Sequence, residues 1–259
     1  MAIEGNLPHP HSYRERSYRS STGAAGISFV IKVEESDLWI NILQPGANAA
    51  ELKSLAYEGL LHYRTQLSAF LLRYPDWGTT LKPVAAADYS FAPILVRQMM
   101  AASETAGVGP MAAVAGALAE AVGHDLSGDS TGVVIENGGD VFLAGRSEYR
   151  LAIFAGSSPL SGRLGIKLVN SYPFSCGVCT SSGRIGHSLS MGRADAVTIV
   201  AENAALADAV ATATANRVCN KNDITAAVDK ALNLDGVTGA VAVYGDKLAA
   251  GGQLELINL

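Results

Sequence analysis

Cysteine is scarce in this sequence: 259 residues hold three, Cys176, Cys179 and Cys219. So small and odd a number cannot staple a chain of this length. It excludes a disulfide framework and points to a reducing, cytoplasmic setting. Aromatic residues are also few, at 7%. Charge is sparse and slightly acidic, with 24 Asp and Glu against 19 Lys and Arg, a net charge of -5. That balance argues against a protein that grips nucleic acid through its overall field. Small anionic ligands stay open if a metal or backbone amides receive them. Long apolar runs are missing as well. The longest weakly polar stretch, Gly107 to Val122, contains Pro110 and Glu120 and is too short to span a bilayer. The opening MAIEGNLPHPHSYRERSYR has no apolar segment before a small-residue cleavage site, so no secretory signal is expected. Neither nucleic acid nor a membrane is an expected partner.

What the chain has is apolar bulk, 49% of its residues. Area scaling gives roughly 28,000 Å² removed from water on folding, ample for one large core. Residues 1–25 read as an N-terminal arm of prolines, histidines, arginines and tyrosines, and residues 26–259 as a single domain. Ile27 to Val33 and Leu38 to Leu43 read as a hairpin around the turn EESD. Apolar residues from Leu52 to Leu71 recur at three- and four-residue spacing, which predicts a long helix closed by Pro75. Further helices are expected near 93–104, from the opening Gly107-Val-Gly-Pro-Met to about Gly123, and near 203–218 and 223–232. From Gly132 the chain turns to short β-branched runs between glycines, an antiparallel, meander-like pattern. Two last strands are expected around GAVAVYG and QLELIN. Grouped strands and grouped helices together predict an α+β fold, with antiparallel sheets packed against helices.

Four motifs could carry chemistry. Glu136-Asn-Gly-Gly-Asp140 lies between two strands. It is either a plain hairpin turn or one whose bare glycine backbone lets a phosphate or flavin approach. Asp208 and Thr212 stand four apart in an Ala/Val helix and so share a face. They are either a solvent-facing stripe or an oxygen pair for a hard cation such as Mg²⁺. Cys176-Gly-Val-Cys179 can be a redox pair, half a zinc site or buried small residues. The following Thr180-Ser-Ser182-Gly183 offers a small polar loop for ligand hydrogen bonds. His187 is either structural or part of that ligand loop. No Walker A lysine motif, GxSxG elbow or HExxH is present.

Taken in order, GPMAAVAGALAEAVG, STGVVIENGGDVFLAG, CTSSG, His187 and VTIVAENAALADAVATATAN resemble the ApbE-type flavin transferases. YRERSYR, GVGPMAAVAGA and CTSSGRIGHSLSMGRADAV look closer still to an uncharacterised cytoplasmic branch of that superfamily. The resemblance covers nearly the whole chain and implies a T-fold-like ApbE architecture. It implies FAD or a related nucleotide and Mg²⁺ as cofactors, and FMN transfer to a threonine of an acceptor protein. Asp208 and Thr212 match the family's metal ligands. Asn137, Gly138, Gly139 and Asp140 match its flavin turn and Glu120 its helical acidic residue, while Thr180, Ser181 and Ser182 stand in a TSSG where the family has its TSG segment. His187 and Cys179 are the expected catalytic residues. The sequence departs from the family where Val114-Ala115-Gly116 replaces a lysine-bearing AKG and where the histidine loop is shortened. The implied activity is therefore an altered FMN transfer or a diphosphate cleavage. Two other readings stay open: a cysteine-dependent enzyme or carrier in sulfur metabolism, and a non-catalytic, homo-oligomeric T-fold binding module.

Overall fold

The computed structural model describes residues 26–43, 46–127, 132–145, 148–168, 175–183 and 192–259. The expected N-terminal arm and His187 lie outside them. The first hairpin forms as read: β1 (Ile27–Val33) pairs antiparallel with β2 (Ser36–Leu43). Its turn is tighter than EESD, because Val33 pairs with Ser36 and only Glu34 and Glu35 are left to turn. Alternation in β2 sends Leu38, Ile40 and Ile42 into the core, each fully buried. Burial of each contributes about 1.5–3 kcal/mol.

The long helix is α1 (Ala49–Arg73). Asn48 caps it, accepting from the Ala50 and Glu51 amides, and the chain leaves the helix at Tyr74, just before Pro75. Pro75 then opens the short α2 (Pro75–Thr79). Phe70, Tyr74, Trp77 and Tyr89 stack with ring centroids 4.8–5.6 Å apart and tie α2 and the following turn to the end of α1. Next come α3 (Ile94–Ala106), a single 3₁₀ turn over Pro110–Ala113, and α4 (Val114–Leu126).

The β-rich half supplies β3 (Gly132–Asn137), β4 (Asp140–Ala144), β5 (Tyr149–Ala152), β6 (Leu164–Leu168), β7 (Ser175–Ser181) and β8 (Ala196–Ala201). Then follow α5 (Ala204–Arg217), α6 (Ile224–Leu232), β9 (Val237–Tyr244), β10 (Lys247–Gly252) and β11 (Glu255–Asn258). Eight strands form one antiparallel sheet in the order β1-β2-β3-β4-β7-β8-β9-β10. The meander is broken once: β5 and β6 leave it and join β11 in a second, three-stranded sheet. β10 has no counterpart in the sequence reading. Its LAAGG composition carries little strand signal, and hairpin pairing with β9 recruits it.

The large sheet is covered on both faces. The helices pack on one face over the main core, which includes Leu38, Ile135, Phe142, Ile199 and nearly all of α5. The small sheet packs on the other, over a second core of Val141, Leu143, Ile166, Val178 and Val243. The result is the expected α+β arrangement of antiparallel sheets and helices.

This layering settles the geometry of the CxxC. Both cysteines lie in β7, three residues apart, and odd spacing in a strand points side chains to opposite faces. Cys176 belongs to the core between the sheets and Cys179 to the core under the helices. The sheet backbone separates them, so they cannot act as a dithiol pair. Burial pushes the Cys176 thiol up to about 12. Cys219 is the exposed cysteine. Iodoacetamide should therefore add one group to the native protein, at Cys219, and three after denaturation, as read by mass spectrometry. For Cys176 the depleted thiolate alone slows the reaction about a thousandfold. Native-state labelling of Cys176 or Cys179 at the rate of Cys219 would contradict the burial.

Candidate functional site

The site is built from the end of the β3–β4 hairpin, β7, α4 and α5. Asn137 and Asp140 form the last ladder pair of the hairpin. Gly138 and Gly139 make the two-residue turn between them at φ +76° and +110°, values that favour glycine. Glu136 steadies the turn by accepting the Gly139 amide at 2.9 Å. The Asn137 side chain donates to the Ala115 carbonyl at 3.1 Å, tying the turn to the first residues of α4. Asp140 lies on the helix-facing side with Phe142 and Ala144, and its cross-strand partner is Cys179.

α5 crosses this face. Its run AALADAVATATA is buried from Ala204 to Ala215, including Asp208 and Thr212. The spacing reading of a solvent-facing stripe is thereby overturned: the pair shares a helix face, and that face points inward. Small side chains let α5 approach α4 closely. A Cβ on Gly116 would lie 2.2 Å from the Ala204 carbonyl oxygen and 2.9 Å from Asp208 Cβ, so only glycine fits. The Gly116 amide donates to Asp208 Oδ2 at 2.9 Å.

Two carboxylates therefore face one buried region. Burial raises Asp208 to about 7, partly opposed by hydrogen bonds from the Gly116 and Ala115 amides. Burial also raises Asp140 well above the carboxylate range, and the charge of Asp208 adds to this, while a hydrogen bond from Cys179 opposes it. Neither acid has an ion-pair partner among the described residues. Cys179 is wholly buried, and burial and then the charges of Asp140 and Asp208 keep its proton on. Its thiol donates to the Ala204 carbonyl at 3.4 Å. Such a thiol lacks the low pKa and access of a nucleophile.

Among the described residues no three His, Cys, Asp or Glu side chains converge as a ready metal centre. The chemistry of the donor set nevertheless suits a hard divalent cation. Two buried carboxylates without a countercharge among the described residues lie with the Thr212 hydroxyl one turn beyond Asp208, and ligand oxygens and water would complete the shell.

The structure brings together Asn137, Gly138, Gly139, Asp140, Cys179, Asp208 and Thr212. It separates the polar segment after Cys179. Thr180 and Ser181 are still in β7, and Thr180 Oγ1 pairs with Thr198 Oγ1 at 2.9 Å on the sheet face turned from the helices. Ser181 faces the helices, and its buried hydroxyl has no hydrogen-bond partner. Ser182 follows the strand as a half-buried residue with a partner of its own. Glu120 is buried with its carboxylate on the first amides of α5: Ala204 at 2.8 Å and Ala205 at 3.3 Å. Residue-type reasoning missed the part played by the Ala115 and Gly116 backbone. The run of small residues Val114-Ala-Gly116 was the available signal.

The raised Asp208 sets a pH dependence in metal-free protein. The native state holds this proton more tightly than the unfolded state does. The contribution is complete below about pH 4, where both states are protonated, and disappears as pH rises through about 7. The wild-type melting temperature should fall by about 5–10 °C more between pH 5 and pH 8 than that of Asp208→Asn, which keeps an acceptor for Gly116 and cannot ionise. Parallel curves in calorimetry would refute this assignment.

A family model described as AbpE bacteria matches residues 19–247. A UPF0280 protein of Methanopyrus kandleri is 38% identical over 233 residues, covering 87% of this chain and 90% of its own. One from Methanocaldococcus jannaschii is 38% identical over 212 residues, covering 78% and 84%. Among solved structures, the ApbE protein of Thermotoga maritima superposes with a TM-score of 0.61 at 13% identity, over 86% of this chain and 96% of its own. The flavin transferase ApbE of Vibrio cholerae gives 0.54 at 13% identity, over 88% and 96%. Extensive family and relative matches, together with this shared fold, show that the chain belongs to the AbpE bacteria family and has the ApbE architecture.

Proposed function

We propose that this protein binds a flavin or related nucleotide, with FAD as the test ligand, through a divalent cation such as Mg²⁺. Asp208 and Thr212 would hold the cation, with Asp140 beside them on the helix-facing side of the sheet. The observation that carries the reading is the pair of buried carboxylates, Asp140 on the sheet and Asp208 on α5 above it, without a countercharge among the described residues. Two such acids resist joint ionisation unless a cation joins them. The names of the structural neighbours, a flavin transferase and a flavinyl transferase, support flavin as the ligand class.

A bound divalent cation would supply charge neutralisation on diphosphate oxygens. The chain's own groups supply position. Asp208 is oriented by the Gly116 amide before any ligand arrives. Asn137 holds the flavin-side turn against α4. The Cys179 thiol donates to the Ala204 carbonyl beside Asp140 and stays protonated, which gives it a supporting place and not that of a nucleophile. His187 is the proposed proton-transfer residue. The reaction is an altered FMN transfer to an acceptor protein or cleavage of the diphosphate, and the proposed compartment is the cytoplasm. No single helix among the described residues is long and apolar enough to cross a membrane.

FAD fluorescence should be quenched saturably by the wild-type protein with Mg²⁺. Asp208→Ala should weaken binding on the order of ten- to a hundredfold. Absence of saturable quenching in wild type, or equal affinity in the variant, would overturn the proposal.

A further inference from the structure

The first amides of a helix have no partner within it. In α5 they are nevertheless all accounted for through the third position. Asn203 accepts the Leu206 amide at 2.8 Å, and Glu120, from α4, accepts the Ala204 and Ala205 amides. In α4 the third amide, Gly116, is accepted by Asp208, from α5. Each helix therefore caps the start of the other. Glu120 lies four residues after Gly116, and Asp208 lies four residues after Ala204, so the two attachments are one helical turn apart on each helix. A single attachment would let the helices pivot or slide. Two crossed attachments, one turn apart, fix the register in both directions. The close contact at Gly116 removes the remaining freedom.

We propose that Glu120 is a positioning residue for Asp208. Its carboxylate holds the start of α5 and so sets the place of the metal-binding carboxylate one turn further on, without touching the ligand itself. This rests on the proposed cation site for its functional consequence, while its geometric core is independent of that reading. The His124 ring, 3.5 Å from Glu120 Oε1 and edge-on to Phe142, braces the carboxylate from the outer side.

The test uses the full chain and two readouts. The first is Mn²⁺ affinity, followed by electron paramagnetic resonance. The second is hydrogen exchange at the Gly116 amide, whose hydrogen-bond acceptor is the Asp208 carboxylate. Glu120→Ala should weaken Mn²⁺ binding about tenfold or more and speed Gly116 exchange by a similar factor. Glu120→Gln, which retains an acceptor oxygen, should recover most of both. If Glu120→Ala does not fold, the milder change to Gln should still weaken Mn²⁺ binding and speed Gly116 exchange measurably, and no change in either would overturn the proposal. Lowered thermal stability with unchanged Mn²⁺ affinity and unchanged Gly116 protection would mean a merely structural role and overturn the proposal. If wild type binds no Mn²⁺, the cation reading fails on its own. Gly116 exchange then decides: faster in Glu120→Ala upholds positioning, and unchanged rejects it.

Discussion

The site depends on one constraint, the burial of α5. A helix of alanine, valine and threonine is enclosed by the sheet, α3 and α4, with 12 of its 14 residues buried. Enclosure of that kind leaves little water for the polar atoms it carries. Every such atom must therefore find a partner in the protein or await one from a ligand. The helix start is satisfied by Asn203 and Glu120. One oxygen of Asp208 is satisfied by Gly116. Charge is what these hydrogen bonds leave unsettled. They stabilise the ionised form of Asp208, and burial outweighs them. Asp140, pressed by the same neighbour, is pushed in the same direction. The fold thus concentrates acidity where it is least solvated, and a cation is the simplest group that relieves it.

Much of the architecture could be read from local pattern, because local pattern built it. α1 follows from its apolar spacing, the Asn48 cap and Pro75. The β3–β4 hairpin follows from Asn-Gly-Gly-Asp between β-branched runs. The nearness of Asp208 to Thr212 needs only the helical repeat. What could not be read has long range as its common cause. Glu120 meets Ala204 across 84 residues of sequence separation, and Asp140 meets Cys179 only because β5 and β6 leave the sheet and let β7 pair with β4. Neither contact has a local signature. The CxxC is the instructive intermediate case. Once those residues are taken as a strand, the odd spacing already places the sulfurs on opposite faces. The motif's association with redox chemistry presumes a helix start or a loop, and β7 is neither.

The polar segment after Cys179 shows the same point from the other side. Small polar residues suggest a loop, yet Thr180, a good strand former, and Ser181 complete β7, where pairing with Thr198 and Val197 outweighs the weaker strand preference of serine. Alternation then divides the segment. Thr180 is spent between the sheets, and Ser181 is delivered to the helix side with its hydroxyl unpaired. A run that looks like one recognition element is split by the pleat into a structural residue and a residue with binding capacity left over.

The segment Val114-Ala115-Gly116 links the glycine turn to α5. None of its side chains carries charge, so it cannot meet an anion as a lysine would. Its backbone makes the contacts instead: the Ala115 carbonyl accepts from Asn137, and the Gly116 amide donates to Asp208. One dipeptide therefore joins the glycine turn to the acidic helix. The bare α-carbon of Gly116 is the condition for both, since any side chain there would strike the Ala204 carbonyl. A site arranged in this way meets negative charge indirectly. Its backbone fixes Asp208 directly and, through Asn137, the turn beside Asp140, and on the proposed reading the two carboxylates would recruit a cation. The acidic balance of the whole chain is then no obstacle to an anionic ligand, because the carboxylates that would repel a phosphate are also those that would recruit its counterion.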